Sequence, residues 1–413
     1  MCCCPVLPLV AVCLLAADAT ENWPDFRGST GDGQSQEADL PLRWSETENV
    51  VWKTAIPDRG WSSPVIWGDQ VWMTAATRDG RKMFAIAVNK RSGRIEHHVQ
   101  VCENEETQPI DPLNSYASPS PVIESGRVYV HFGTYGTACL DTASGDVIWR
   151  RRDLKVDHQK GPGSSPVLGG DRLVLSCDGN DVQDLIALDK SNGRTVWKTA
   201  RSIDLSGRSP DYRKSFSTPL VLPSTDTIVS VAAGGAYAHD ARTGREQWQV
   251  RYGGHTNVSR PVSGLGMVFI NTGYPVPALW GVRLGGSGDV TQTQVVWKVT
   301  QSVPIKPSIL LADDRLYMVS DTGGVLTCLE ARTGKTVWRE RLGGNYSASP
   351  LLAGNRVYFF SQEGLTTVLK HGQDYQVLAT NRLDGCFMAS PAVSGRSLYL
   401  RTEGHLYRIG RER

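Results

Sequence analysis

The sequence predicts an all-β chain, an eight-bladed β-propeller of four-stranded antiparallel blades closed by an N-terminal strand. Three observations carry this. A residue-Pro-aliphatic signal recurs at intervals of 41–57 residues. An acid-x-x-Thr-Gly-x-x-x-Trp signature recurs between its copies. A strand-like segment near the N-terminus also repeats the last strand of an internal copy, without a blade of its own.

The first signal has eight copies. They read Ser63-Pro64-Val65, Ser120-Pro121-Val122, Ser165-Pro166-Val167, Thr218-Pro219-Leu220, Arg260-Pro261-Val262, Lys306-Pro307-Ser308, Ser349-Pro350-Leu351 and Ser390-Pro391-Ala392. Each opens a short apolar run, followed by a polar turn such as Gly126-Arg127 or Asp314-Arg315. A second run follows, such as Val128-Tyr129-Val130, and then a variable loop and a third run. Runs of three to five apolar residues bounded by turn residues are the pattern of strands, not of helices.

The second signal joins the third strand to the fourth. It appears at Asp141…Gly145…Trp149, Asp189…Gly193…Trp197, Asp240…Gly244…Trp248 and Glu330…Gly334…Trp338. Glycine supplies the positive φ of a hairpin turn, and the acid can bond the turn amides. Tryptophan is large and flat enough to fill the wedge between blades. The first copy has His97 in place of Trp, the fifth carries an insertion from Gly288 to Trp297, and the last two lack the motif.

The two ends complement each other. Copy eight stops after a third strand, His405 to Ile409, while Val50-Val51-Trp52-Lys53 nearly repeats Val295-Val296-Trp297-Lys298. Pairing the orphan strand with copy eight would remove two exposed sheet edges. The expected organisation is a signal peptide at 1–19, an N-terminal extension at 20–48 and the propeller at 49–413.

Residues 6–17 form an apolar run too short to span a bilayer, and Ala17-Asp18-Ala19 has the small-x-small pattern of a cleavage site. Cleavage near Ala19 is favoured over lipidation at Cys13, because Val12 is bulkier than lipidation sites prefer. With Lys+Arg at 44 and Asp+Glu at 42, bulk charge points to neither nucleic acid nor a membrane surface. The cysteines beyond the signal, Cys102, Cys139, Cys177, Cys328 and Cys386, are scattered and odd in number, which suits core packing better than zinc or disulfides.

The acid-x-x-Thr-Gly-x-x-x-Trp repeats resemble the tryptophan-docking repeats of the PQQ-like (pyrroloquinoline-quinone-type) propeller family. That family includes quinoprotein dehydrogenases and the outer-membrane assembly scaffold BamB. Trp23-Pro24-Asp25-Phe26-Arg27-Gly28 resembles the opening of secreted PQQ-like propellers of planctomycete-type bacteria. The resemblance spans residues 23–413. It implies a periplasmic or extracellular protein and either of two functions. Many quinoprotein dehydrogenases carry adjacent cysteines over the cofactor, and residues 20–413 hold no Cys-Cys pair.

Propeller geometry places the residue before each Pro around one mouth of the central channel. Ser63, Ser120, Ser165, Thr218, Ser349 and Ser390 bring hydroxyls there, and Arg260 and Lys306 bring charge. The expectation is an anion-binding funnel. The bland alternative is that small residues fit a crowded axis and the cations pair with local acids. Loops on the same face bring Tyr135, Asp178, Tyr274, Asp321, Glu363, His158, Arg213, Lys214, His255 and Tyr346. The run Asp178 to Asp184 lacks the ligand spacing of a calcium loop, and His97-His98 alternate across a strand. Gly285-Gly286-Ser287-Gly288 has no βαβ context, and no GxSxG, HExxH or Walker motif occurs.

The first functional reading is a non-catalytic binding scaffold of BamB type, a monomer holding a protein partner, a carbohydrate or a small anion. It needs no resident cofactor or metal. The second is a PQQ-dependent alcohol or sugar dehydrogenase. In it Arg260 and Lys306 hold the quinone, and Asp178 or Asp321 assists calcium or acts as base.

Overall fold

The computed structural model describes residues 21–411; the predicted signal segment at 1–19 lies outside them. Eight sheets follow one another in chain order. In blade one the strands are Val65–Trp67, Gln70–Ala76, Lys82–Asn89 and Ile95–Glu103, paired antiparallel in sequence order. Blades two to seven open at Val122, Val167, Leu220, Val262, Leu310 and Leu351 and repeat that order. The second and third strands are almost wholly buried, and the fourth alternates between buried and exposed residues. That burial separates an inner pair covered on both faces from an outer strand covered on one.

Blade eight contains Ala392–Ser394, Ser397–Arg401 and His405–Ile409, and Val50–Ala55 is its fourth strand. Thr54 lies opposite Leu406 and Lys53 opposite Tyr407, with a bulge at Val51. The predicted closure is therefore present. The ring is sealed by residues from the two ends of the propeller.

Tryptophan and glycine mesh across the blade interfaces. The indole N–H of Trp149 donates to the Lys190 carbonyl at 2.9 Å, and its ring covers Gly193. Trp197 repeats this on Ala241 and Gly244, and Trp297 on Ala331 and Gly334. Trp52 of the closing strand does the same on Lys90 and Gly93 of blade one. Each receiving glycine has φ of 71–76° and lies so close to the ring that a Cβ would collide with it. The motif acid acts as expected: Asp141 accepts the amides of Ala143 and Ser144, both at 2.9 Å. In the insertion, Gly288–Asp289 pairs parallel to Trp248 and Gln249 and extends blade four by a fifth strand.

Residues 21–44 pack across the face opposite the blade-entry loops. Trp23 bridges to Ile66 in blade one, and the Pro24 carbonyl accepts the Ile123 amide in blade two. Asp25 and Phe26 reach Arg260 ahead of blade five. Gln34–Ser35 then pairs parallel to Leu352 and Ala353, the inner strand of blade seven. The segment thus crosses the channel and closes its lower end. Cys102, Cys139, Cys177 and Cys328 are buried free thiols, and burial raises each above its ordinary pKa.

Candidate functional site

The residues that open the inner strands form a hydrogen-bonded circle around the axis. The Ser63 amide donates to Ser120 Oγ at 2.8 Å, Ser120 to Ser165 at 2.9 Å, and Ser165 to Thr218 at 3.0 Å. Beyond blade five the Arg260 amide donates to Ser308 Oγ, Ser308 to Ser349, and Ser349 to Ser390, at 2.9–3.0 Å. Ser390 returns to Ser63 Oγ at 2.9 Å. The circle is broken only between Thr218 and Arg260, because arginine carries no hydroxyl.

The blade-six member is Ser308, not Lys306. The inner strand there starts at Leu310, two residues after Ser308, as Val65 follows Ser63. Pro307 therefore precedes the ring position, and Ile309 stands where the other blades have proline. The Pro spacing misaligned this copy by two residues. The hydroxyl-x-aliphatic frame at Ser308-Ile309-Leu310 was the signal that could have placed it.

Each of the seven hydroxyl oxygens accepts a backbone amide from the neighbouring blade. None donates to a protein acceptor within the described residues, which leaves seven O–H groups without a protein acceptor. They form the floor of a funnel of about 480 Å³ that opens on the blade-entry face. Trp61, Leu113, Phe216, Val258, Ile305 and Met388 supply apolar wall, and Phe26 reaches the floor from the plug.

Two lysines stand in the funnel, each near an acid that anchors a loop. Asp321 accepts the amides of Ile305 at 2.6 Å and Lys306 at 2.9 Å, while the Lys306 ammonium is 4.0 Å away. Asp111 accepts the Leu113 amide at 3.0 Å, with the Lys160 ammonium at 3.7 Å. Neither ammonium is in hydrogen-bond contact with its acid, so each can turn to a ligand. Lys160 and Asp111 lie in long loops without a repeat signature and escaped the sequence reading.

Arg260 does not face the funnel freely. It is buried, donates to the carbonyls of Pro219 (3.1 Å) and Phe26, and pairs with Asp25 at 3.0 Å. It fastens the plug. Asp178 also lies outside the funnel lining. It is fully buried in a two-pronged pair with Arg201, at 3.0 and 2.8 Å, and Arg201 also contacts Ser230 of blade four. Burial raises the Asp178 carboxyl while the guanidinium beside it pulls it down. Most other loop candidates are similarly engaged. Tyr135 Oη accepts the Gln108 amide, His158 Nε2 accepts the Thr134 amide, Lys214 pairs with Asp211, and Glu363 accepts the Asn345 amide.

A family model described as outer membrane protein assembly factor BamB matches residues 39–152, 136–273 and 287–386. The chain belongs to the BamB family. No protein of curated function matches it in sequence. BamB from Moraxella catarrhalis is similar in structure, with a TM-score of 0.62 at 16% identity, covering 88% of this chain and 97% of that one. Quinohemoprotein alcohol dehydrogenase from Comamonas testosteroni aligns with a TM-score of 0.68 at 11% identity, over 96% of this chain and 82% of that one. A europium-containing methanol dehydrogenase gives 0.65 at 12% identity, over 94% and 90%. At these identities the structural likenesses show the fold alone. Among the described residues, no helix of this BamB-family chain is long and apolar enough to cross a membrane.

Proposed function

We propose that this chain is a non-catalytic binding scaffold working outside the cytoplasm, with its ligand held over the hydroxyl floor of the funnel. The observation that carries this reading is the set of seven hydroxyl protons left undonated around one axis. They lie in a funnel whose two lysines stand out of hydrogen-bond contact with their nearest acids. Such a floor suits a ligand rich in acceptors, and the lysines add preference for a carboxylate. That ligand is a small organic acid or an acidic side chain of a partner protein. The apolar wall would cover the rest of it.

The quinoprotein reading requires a calcium cage beside the quinone. Among the described residues no three His, Cys, Asp or Glu side chains converge as a cation site. Asp178 is committed to Arg201 and Arg260 to Asp25. These residues do not fit a calcium–quinone pair.

Calorimetric titration with citrate tests the scaffold reading. Binding is expected, and Lys306→Ala should weaken it about tenfold, the loss of one charge-assisted hydrogen bond. The parallel arm adds PQQ and Ca²⁺. Retained quinone absorbance with dye reduction by alcohols or sugars would overturn the reading.

A further inference from the structure

A second cavity lies on the opposite, plugged face. It is about 1230 Å³, set between the strap at residues 37–42 and blade eight, and reaches the 90–91 turn of blade one. Six cationic side chains line it against three acidic ones, although the whole chain carries a net charge of only +2. The groove therefore concentrates positive charge.

The pairing pattern shows which cations are uncommitted. Lys90 is paired with Glu21 at 3.0 Å, Arg396 with Asp39 at 3.3 Å, and Arg91 with Asp69 at 3.1 Å. Arg356, Arg408 and Arg411 have no carboxylate within 4.0 Å among the described residues. Two of the three are nevertheless held in place. Arg356 donates to the Leu40 carbonyl at 2.9 Å, and Arg408 donates to Ser397 Oγ at 3.1 Å. Each contact uses one or two of five guanidinium donors and leaves the others for the groove. The remaining acid, Glu37, accepts the Asp39 amide at 2.8 Å.

We infer that this groove binds a phosphate-bearing ligand, with Arg356, Arg408 and Arg411 as its recognition groups. A phosphate offers three acceptor oxygens and nearly two charges, so it can bridge several guanidiniums where a carboxylate engages one. The planar forks of arginine suit that geometry better than lysine would. The chemistry is shared by the headgroup of an anionic phospholipid and by a soluble phosphate ester. The site is independent of the funnel.

The test uses the full chain and two probes. Calorimetry with sodium tripolyphosphate should show binding that Arg408→Gln with Arg411→Gln weakens by about tenfold or more. Arg411→Glu alone, at an exposed position that leaves the blade intact, should weaken it in the same direction. Citrate binding in the funnel should be unchanged by these arginine variants, which lie outside the funnel lining, and this separates the two sites. Co-sedimentation with phosphatidylcholine–phosphatidylglycerol vesicles is the second arm. Vesicle binding with the same sensitivity to the variants assigns the lipid source, and tripolyphosphate binding alone assigns a soluble one. Absence of binding to both probes overturns the inference. So does tripolyphosphate affinity that the arginine variants leave unchanged, or a citrate affinity in the funnel that they lower equally.

Discussion

The amide of Ser390 donates to Ser63 Oγ across 2.9 Å, joining residues 327 positions apart. This bond closes the inner circle of the propeller, as the pairing of Val50–Ala55 with His405–Ile409 closes its rim. Both groups are buried. Ser63→Ala would leave the Ser390 amide without its acceptor, at a cost of about 1–3 kcal/mol. Ser63→Thr should keep most of the stability, because Thr218 fills the same role in blade four. Urea unfolding of the two variants checks this. Equal losses would mean that the site senses bulk and not the hydroxyl.

The blade interfaces make a second expectation. Trp197 is 9% exposed, and a Cβ on Gly244 would stand 2.5 Å from its ring. Trp197→Ala should cost about 3–5 kcal/mol through the lost packing and the cavity left behind. Gly244→Ala should also destabilise, by collision with the indole and by strain at φ +72°. The double variant should lose less than the sum, because removing the indole removes the collision. Full additivity in the measured unfolding free energies would show that ring and glycine do not act together.

How far the sequence revealed this arrangement depends on which forces act locally. Eight blades and their closure were legible because the turn glycine and wedge tryptophan recur together in four copies and a short buried inner strand recurs in all eight. Asp141, Gly145 and Trp149 carry that geometry within nine residues. The hydroxyl circle was legible at six positions for the same reason. Ser308 was missed because Pro307 mimicked the repeat proline out of register. Arg260 was read as a ligand cation because its partner, Asp25, lies 235 residues away in a segment with no repeat signature. Asp178 was misplaced similarly. A carboxylate ending a strand looks the same in sequence whether it faces solvent or, as here, Arg201. Tertiary pairing of charges leaves little local trace, whereas turns and wedges do.

Acid lability follows from three buried imidazoles. Burial pulls His131 and His239 down to about 3 and His158 to about 4. Among the described residues His239 has no hydrogen-bond partner at either ring nitrogen, and His131 Nδ1 bonds the Thr137 hydroxyl. An unfolded histidine titrates near 6.5. Above that pH both states are neutral, and these groups do not alter stability. Below it the unfolded chain binds protons that the folded chain refuses, so stability falls from about pH 6.5 down to the folded values. At pH 5 each imidazole should cost about 2 kcal/mol relative to pH 7.5. Urea midpoints should therefore drop steeply over that interval. His239→Phe keeps an aromatic ring in the site but cannot take up a proton, and it should reduce the drop at pH 5 by about 2 kcal/mol. A pH dependence unchanged in that variant would mean that His239 does not oppose protonation in the folded state.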